Sequence, residues 1–155
     1  MKHIPIIVFF LMVHDLSGQQ KVILQIDHFL KDQTFQFDAA TQNNLGHPLT
    51  IRRMDYYLSG VQITHDGGKV ISFPDLYILV SLDENQEKTV IDLGNHDVEI
   101  IDKITFYLGL DSLTNHSDPA LWPVGHPLGP RFPSMHWGWA SGYRFIAMER
   151  HPCSV

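Results

Sequence analysis

The strongest constraint on the fold is an alternation of apolar and polar side chains with a period of two. Near the start of the chain, Val22, Leu24 and Ile26 alternate with Gln25 and Asp27. A period of two places alternate side chains on opposite faces of a β-strand. No segment carries the sustained apolar stripe that an amphipathic helix needs. The pattern therefore predicts strands and no long helix.

Similar patterns mark further strand candidates that are separated by turn residues. They are residues 34–37, 51–64, 69–71, 76–82, 89–93, 100–110 and 142–148. The longest candidate is interrupted near Ser59-Gly60, and the run Asp66-Gly67-Gly68 is typical of a hairpin turn. Seven or eight short strands of this kind predict an all-β fold, either a β-sandwich or a barrel.

Residues 111–141 differ from the rest of the chain because proline recurs throughout them. The prolines are Pro119, Pro123, Pro127, Pro130 and Pro133. This density excludes a continuous sheet ladder or helix, and a loop of such length inside a compact domain is often functional. The same stretch holds Trp122, Trp137, Trp139, His116, His126 and His136. We therefore predict one long loop rich in proline, tryptophan and histidine.

The N-terminus has the pattern of a secretory signal peptide. Met1-Lys2-His3 is basic, and residues 4–13 form an apolar run that is too short to span a bilayer. Small residues precede Gln19, so we expect cleavage near Gly18. Residues 1–18 are thus predicted to be a signal peptide and residues 19–155 one domain of a periplasmic or secreted protein. The alternative is a buried N-terminal strand.

Composition excludes several functional classes. The net charge is −6 and no Lys/Arg cluster occurs, which argues against a nucleic-acid partner. One cysteine, Cys153, cannot form an internal disulfide, a Cys-rich zinc site or an iron–sulfur cluster. No nucleophile elbow or phosphate-binding glycine loop is present, so we expect no enzymatic activity. A small metal-dependent enzyme is a minor alternative.

The residue types around Met135-His136-Trp137-Gly138-Trp139 suggest a copper site. Copper, and Cu(I) in particular, accepts both imidazole nitrogen and thioether sulfur. Met135 and His136 are neighbours, so an extended backbone would direct their side chains to opposite sides. The ligands therefore stay open at this point. Two alternatives are that the Trp-Gly-Trp stretch anchors a core, or that Trp122, Trp137 and Trp139 stack against a sugar or a protein partner.

The same run has the form of a family motif. Met135, Trp137 and Trp139 make a Met-x-Trp-x-Trp pattern that is followed by Ser-Gly-Tyr at residues 141–143. This combination resembles the motif of the MbnP-like copper-binding domain. Residues 26–29, 53–61 and 107–111 are also similar to segments of that family. The resemblance covers nearly all of residues 20–149.

The resemblance implies an exported antiparallel β-sandwich that binds copper for acquisition, storage or delivery, without turnover of its own. It also implies a partner of the MbnH type, a diheme protein related to cytochrome c peroxidases, which oxidises a tryptophan to kynurenine. Related copper proteins use histidines together with such a modified tryptophan at the metal.

The candidate site residues follow from the motif and from ligand chemistry. The candidate metal ligands are His28, His116, His126, Met135 and His136, and the candidate cofactor residues are Trp137 and Trp139. Met135, the two tryptophans and His28 are carried over from the family, whereas His136 falls at a variable motif position. After Glu149 the chain departs from the family pattern, which continues there with glycine and further strands. We therefore expect a domain that is incomplete at its C-terminus.

Overall fold

The computed structural model describes residues 18–30, 32–82 and 88–151. The predicted signal peptide, residues 1–18, lies outside the described residues except for Gly18. The strands in the described ranges are β1 (Gln20–Asp27), β2 (Phe29–Leu30), β3 (Gln33–Thr34), β4 (Thr41–Gln42), β5 (Pro48–His65), β6 (Lys69–Phe73), β7 (Ile78–Ser81), β8 (Lys88–His96), β9 (Ile101–Leu108) and β10 (Ile146–His151). Two short helical segments accompany them, α1 (Ser112–Asn115) and a 3-10 turn (Pro119–Leu121). Among the described residues, no helix is both long enough and apolar enough to cross a membrane.

The long strand β5 is the centre of the main sheet, and every pairing to it is antiparallel. Leu58 pairs with β7 and also with β9, so these two strands lie on opposite edges of β5. β6 and β7 follow one another along the first edge, and β9 and β10 follow one another along the second. The chain therefore leaves the second edge after β9 and returns to the same edge at β10.

Tyr57 marks the point where the chain leaves and returns. The Gly109 N–H donates to the Tyr57 carbonyl at 2.8 Å, and the Tyr57 N–H donates to the Phe145 carbonyl at 3.0 Å. Gly109 has a φ of +121°, and a Cβ there would lie 2.6 Å from the Phe145 ring. The ends of the long loop are thus held together beside one residue of β5.

The two faces of β5 are covered by different parts of the chain. β1 and β8 form a two-stranded sheet, whose Ile26 and Ile91 pack against the core on the side of Tyr56 and Leu58. The opposite face carries Tyr57, which packs against residues of the long loop. Successive residues of a strand point to opposite faces, which explains the separation of Tyr56 from Tyr57.

The predicted all-β, antiparallel fold with one long loop is confirmed, and two separate sheets pack against each other as in a sandwich. The predicted break near Ser59-Gly60 is a register shift in the pairing with β9, where Gly60 has a φ of +58°. The strand expected over residues 34–37 is wrong, because β3 ends at Thr34. Phe35 and Phe37 instead pack edge to face at 5.0 Å, and the Phe35 N–H makes one last bond across the pair, donating to the His28 carbonyl at 2.8 Å.

Candidate metal centre

Residues 135–144 form a small hairpin, which we call the tryptophan hairpin. The Arg144 N–H donates to the Met135 carbonyl at 2.7 Å, and the Trp137 N–H donates to the Gly142 carbonyl at 2.8 Å. The turn is closed by the Gly142 N–H, which donates to the Gly138 carbonyl at 2.8 Å. This ladder explains why a segment without long strands still holds its aromatic side chains in fixed positions.

The hairpin is docked on the end of α1 through Gly142 and Tyr143. The Tyr143 N–H donates to the Asn115 side-chain oxygen at 2.8 Å. Gly142 has a φ of +70°, and a Cβ at this position would lie 2.6 Å from the Asn115 amide nitrogen. The helix is itself capped by Asp111, whose carboxylate accepts the Thr114 N–H at 3.0 Å. Glycine is therefore required where the two segments meet.

Two tyrosines connect the hairpin to the sheet. The Tyr57 hydroxyl donates to the Pro127 carbonyl at 2.9 Å, and the Tyr143 hydroxyl donates to the Leu128 carbonyl at 2.6 Å. Their rings meet edge to face at 5.7 Å. Burial raises the pKa of both phenols, and for Tyr57 the nearby Tyr143 adds to this effect. Both hydroxyls therefore remain protonated donors at neutral pH.

Met135 lies beneath the hairpin and is 1% exposed. Its sulfur is 3.5 Å from Nη2 of Arg53, whose Nε donates to Asp55 and whose Nη1 donates to Glu149. A guanidinium at this distance would repel a metal cation bound at the same sulfur. The described geometry therefore makes Met135 a packing support of the hairpin, and its role as a ligand stays a prediction.

His136 presents its imidazole within the hairpin itself. The ring lies edge-on to Trp139 at 5.9 Å and to Tyr143 at 5.0 Å. Ser134 holds the backbone of His136, since its hydroxyl donates to the His136 carbonyl at 2.9 Å and accepts the His136 N–H at 3.1 Å. With respect to the described residues, neither ring nitrogen makes a hydrogen bond. A ring nitrogen is therefore available to a metal ion.

Trp137 and Trp139 are exposed to nearly the same extent, 70% and 69%. The alternative that these two rings anchor a core is thus wrong. The guanidinium carbon of Arg144 lies 4.6 Å from the Trp137 ring centroid, a cation–π distance. Both indoles are accessible from solvent, but they have different neighbours.

The remaining histidine candidates lie elsewhere. His126 stacks on Trp122 at 4.4 Å, and its Nδ1 accepts the Leu128 N–H at 3.1 Å, which leaves Nε2 without a described partner. His116 is exposed at the end of α1 and lines a cleft with Trp122. The structure thus places these two histidines around Trp122, apart from the contacts of the hairpin.

His28 lies on the opposite face of the main sheet. Its Nε2 is 2.8 Å from the Tyr56 hydroxyl, whereas the hairpin packs on the face of Tyr57. His28 and His136 therefore do not share one site. Among the described residues, no group of three or more His, Cys, Asp or Glu side chains converges.

The donor type at the hairpin nevertheless fits copper. Imidazole nitrogen is a suitable copper ligand, and the His136 ring is free to supply one. The described residues offer this single nitrogen beside two exposed indoles.

The His28 environment predicts a dependence of stability on pH. Burial lowers the pKa of His28 from its ordinary value of 6.5, although Asp27 acts in the opposite direction. The unfolded chain then binds this proton at a higher pH than the folded protein does. The stability contributed by neutral His28 is therefore present above pH 6.5 and is lost as the pH falls towards the lowered pKa.

We expect the free energy of unfolding, measured by urea titration, to decrease between pH 6.5 and 5, and to decrease less in His28→Gln. The pKa values of Asp66 and Asp111 are lowered from an ordinary value of 3.8, so these carboxylates change the free energy of unfolding only at pH values outside this window. An identical pH dependence in the wild type and in His28→Gln would contradict the prediction.

Sequence reasoning did not identify Arg53, Asn115 or Arg144 as parts of this region. One signal was available for Arg53, because an Arg-x-Asp pair inside a strongly apolar strand requires internal charge pairing. No local pattern indicates that Asn115 receives the hairpin or that Arg144 covers Trp137, since both contacts join segments that are distant in sequence or depend on the turn geometry.

The family model described as MbnP matches residues 19–154, nearly the whole chain. No curated protein and no solved structure is significantly similar to the chain.

Proposed function

Since this chain belongs to the MbnP family, we propose that it is an exported protein that binds copper at the tryptophan hairpin. Membership in this family indicates a methanobactin-related, copper-associated role. The observation that carries the proposal is the free imidazole of His136, held edge-on to Trp139 and Tyr143 within a docked hairpin. In this proposal copper is cargo for acquisition, storage or delivery, and the protein has no turnover of its own.

The hairpin is suited to hold a metal ligand because its backbone and its base are fixed. The ladder across Met135 and Arg144, together with the contact of Gly142 with Asn115, limits the positions that the His136 ring can take. A preorganised ligand loses less conformational freedom on binding and so binds more tightly. His136 would supply one nitrogen, and Arg53 under Met135 would keep the base of the hairpin in place.

The second ligand is proposed to come from an oxidised tryptophan of the hairpin. Kynurenine carries an amine and a carbonyl, both of which can bind a metal, whereas an indole offers neither. The exposure of Trp137 and Trp139 supports this proposal, because a protein oxidant can reach either ring at the surface. The proposed partner is a diheme protein of the MbnH type, and kynurenine formation would depend on it.

Elemental analysis of protein exported from copper-supplemented cells tests copper binding. We expect close to one equivalent of copper in the wild type and about tenfold less bound copper in His136→Ala, since losing even a residue that orients a ligand costs about tenfold or more in affinity. His47→Ala is the matched control, because His47 lies exposed in a turn outside the hairpin, and it should bind like the wild type. Less than about a tenth of an equivalent in the wild type, or equal binding by His136→Ala, would overturn the proposal.

A second candidate function is recognition of a sugar or a protein partner by the exposed indoles. The observation that favours it is the exposure of Trp137 and Trp139, since accessible rings are typical stacking platforms. Calorimetric titration with oligosaccharides and with copper separates the two functions. Heat from a sugar that disappears in Trp137→Ala, with no heat from copper, would support this second function over the first.

A further inference from the structure

Two tryptophans of the hairpin have equal access to solvent but different electrostatic surroundings. Trp137 is 70% exposed and Trp139 is 69% exposed, so accessibility alone cannot make one more reactive than the other. Trp137 lies under the Arg144 guanidinium at 4.6 Å. Trp139 lies edge-on to the His136 ring at 5.9 Å. The Arg144 cation beside Trp137 is therefore a principal difference between the two indoles.

In the described ranges, Arg144 takes part in no ion pair, and its Nε is buried without a hydrogen-bond partner. Its backbone is fixed, because its N–H donates to the Met135 carbonyl at 2.7 Å. The guanidinium therefore faces the Trp137 ring at 4.6 Å without a described counter-ion.

A fixed cation over an indole opposes removal of an electron from that indole. One-electron oxidation creates a positive charge on the ring, and this charge would face the guanidinium across 4.6 Å. Even with the dielectric constant of water, two unit charges at such a distance repel enough to change an equilibrium by about fivefold, and a partly buried site increases the effect. The ground-state cation–π attraction acts in the same direction, because it is lost on oxidation.

We propose that Arg144 directs oxidation of the hairpin to Trp139 and protects Trp137. In the first step one electron passes from the Trp139 indole to a one-electron oxidant, which is reduced, and the indole radical cation then releases its N–H proton to solvent. Arg144 is a positioning residue in this account, since it selects the reacting ring without reacting. The inference deepens the proposed function and depends on it only for the identity of the physiological oxidant.

Azide radicals, which remove single electrons from indoles and are reduced to azide, provide a test that needs neither copper nor a protein partner. Oxidised protein is digested, and the modified fraction at each tryptophan is measured by peptide mass spectrometry. We expect Trp139 to be modified about fivefold more than Trp137 in the wild type. Arg144→Gln should bring the ratio close to one, Arg144→Lys should keep most of it, and Arg150→Gln is the control for an exposed arginine elsewhere.

A second measurement keeps the test valid if Arg144→Gln fails to fold, which near-ultraviolet circular dichroism would reveal. At molar salt the screening length falls to about 3 Å, so the wild-type ratio should decrease. A wild-type ratio near one, a ratio that favours Trp137, or a folded Arg144→Gln with an unchanged ratio would overturn the inference. Copper binding without the expected ratio would leave the proposed function intact, and the expected ratio without copper binding would leave the inference intact.

Discussion

Replacing Arg53 with alanine is expected to lower the free energy of unfolding by about 3 to 5 kcal/mol, the range for breaking a buried ion pair. The Arg53 Nε lies 2.6 Å from the Asp55 carboxylate, and the two side chains are 11% and 9% exposed. Alanine would leave the Asp55 carboxylate buried without its partner. It would also remove the guanidinium contacts to Pro133 and Met135, at 3.4 and 3.5 Å, and so loosen the base of the hairpin.

Urea unfolding of two neighbouring variants checks this prediction. Arg52 pairs with Asp38, but these side chains are 54% and 51% exposed, so Arg52→Ala should cost at most about 1 kcal/mol. The double variant Arg53→Leu with Asp55→Leu should recover much of the loss, because no unpaired charge then remains buried. Equal losses of unfolding free energy in Arg53→Ala and Arg52→Ala would show that the buried pair contributes no more stability than the exposed pair.

Replacing Gly142 with alanine is expected to cost about 3 kcal/mol and to detach the tryptophan hairpin. A left-handed backbone at φ +70° costs a non-glycine residue about 1 to 2 kcal/mol. In addition, the new Cβ would collide with the backbone carbonyl of Asn115 and lie 2.6 Å from its amide nitrogen. Relief of this clash would break the bond from the Tyr143 N–H to Asn115, worth about a further 1 kcal/mol.

The matched control for Gly142 is Gly46, which has a φ of +79° and no atom within 4 Å of an added Cβ. Gly46→Ala therefore carries the backbone strain without the collision, and it should cost about 1 to 2 kcal/mol. The two variants are compared by urea unfolding and by tryptophan fluorescence, to which the hairpin contributes two of the three tryptophans. Equal losses and unchanged fluorescence in both variants would contradict the docking of the hairpin on α1.

The positions of most strands follow from local pattern, whereas their arrangement does not. The alternation around Val22 predicts β1, because a half-buried strand imposes a period of two on its residues. The apolar stretch before His65 predicts β5, which is buried on both faces over residues 55–59. The pairing of both β9 and β10 with one edge of β5 depends on contacts between distant segments, and these leave no periodic signal. Residues 35–37 show the converse, since an alternation of phenylalanines occurs there without a strand.

For the candidate site, sequence identifies the segment but not the set of side chains that meet. Met135, His136 and the two tryptophans do lie in one small structure. The sequence does not indicate that His28 lies apart from these residues. His28 contacts Tyr56, whereas the hairpin packs on the face of Tyr57, and these two neighbours point to opposite faces of β5. The asymmetry between Trp137 and Trp139 likewise depends on the return of Arg144 across the turn.

The most direct test of copper binding at the hairpin follows the ring nitrogens of all ten histidines by NMR during anaerobic addition of Cu(I). Metal binding at an imidazole nitrogen moves its resonance strongly, and assignment by His→Gln variants identifies each residue. We expect His136 to respond with the first equivalent, while His28, on the other face of the sheet, keeps its resonances. Unchanged His136 resonances, together with a response of His28 or of His126 and His116, would contradict it.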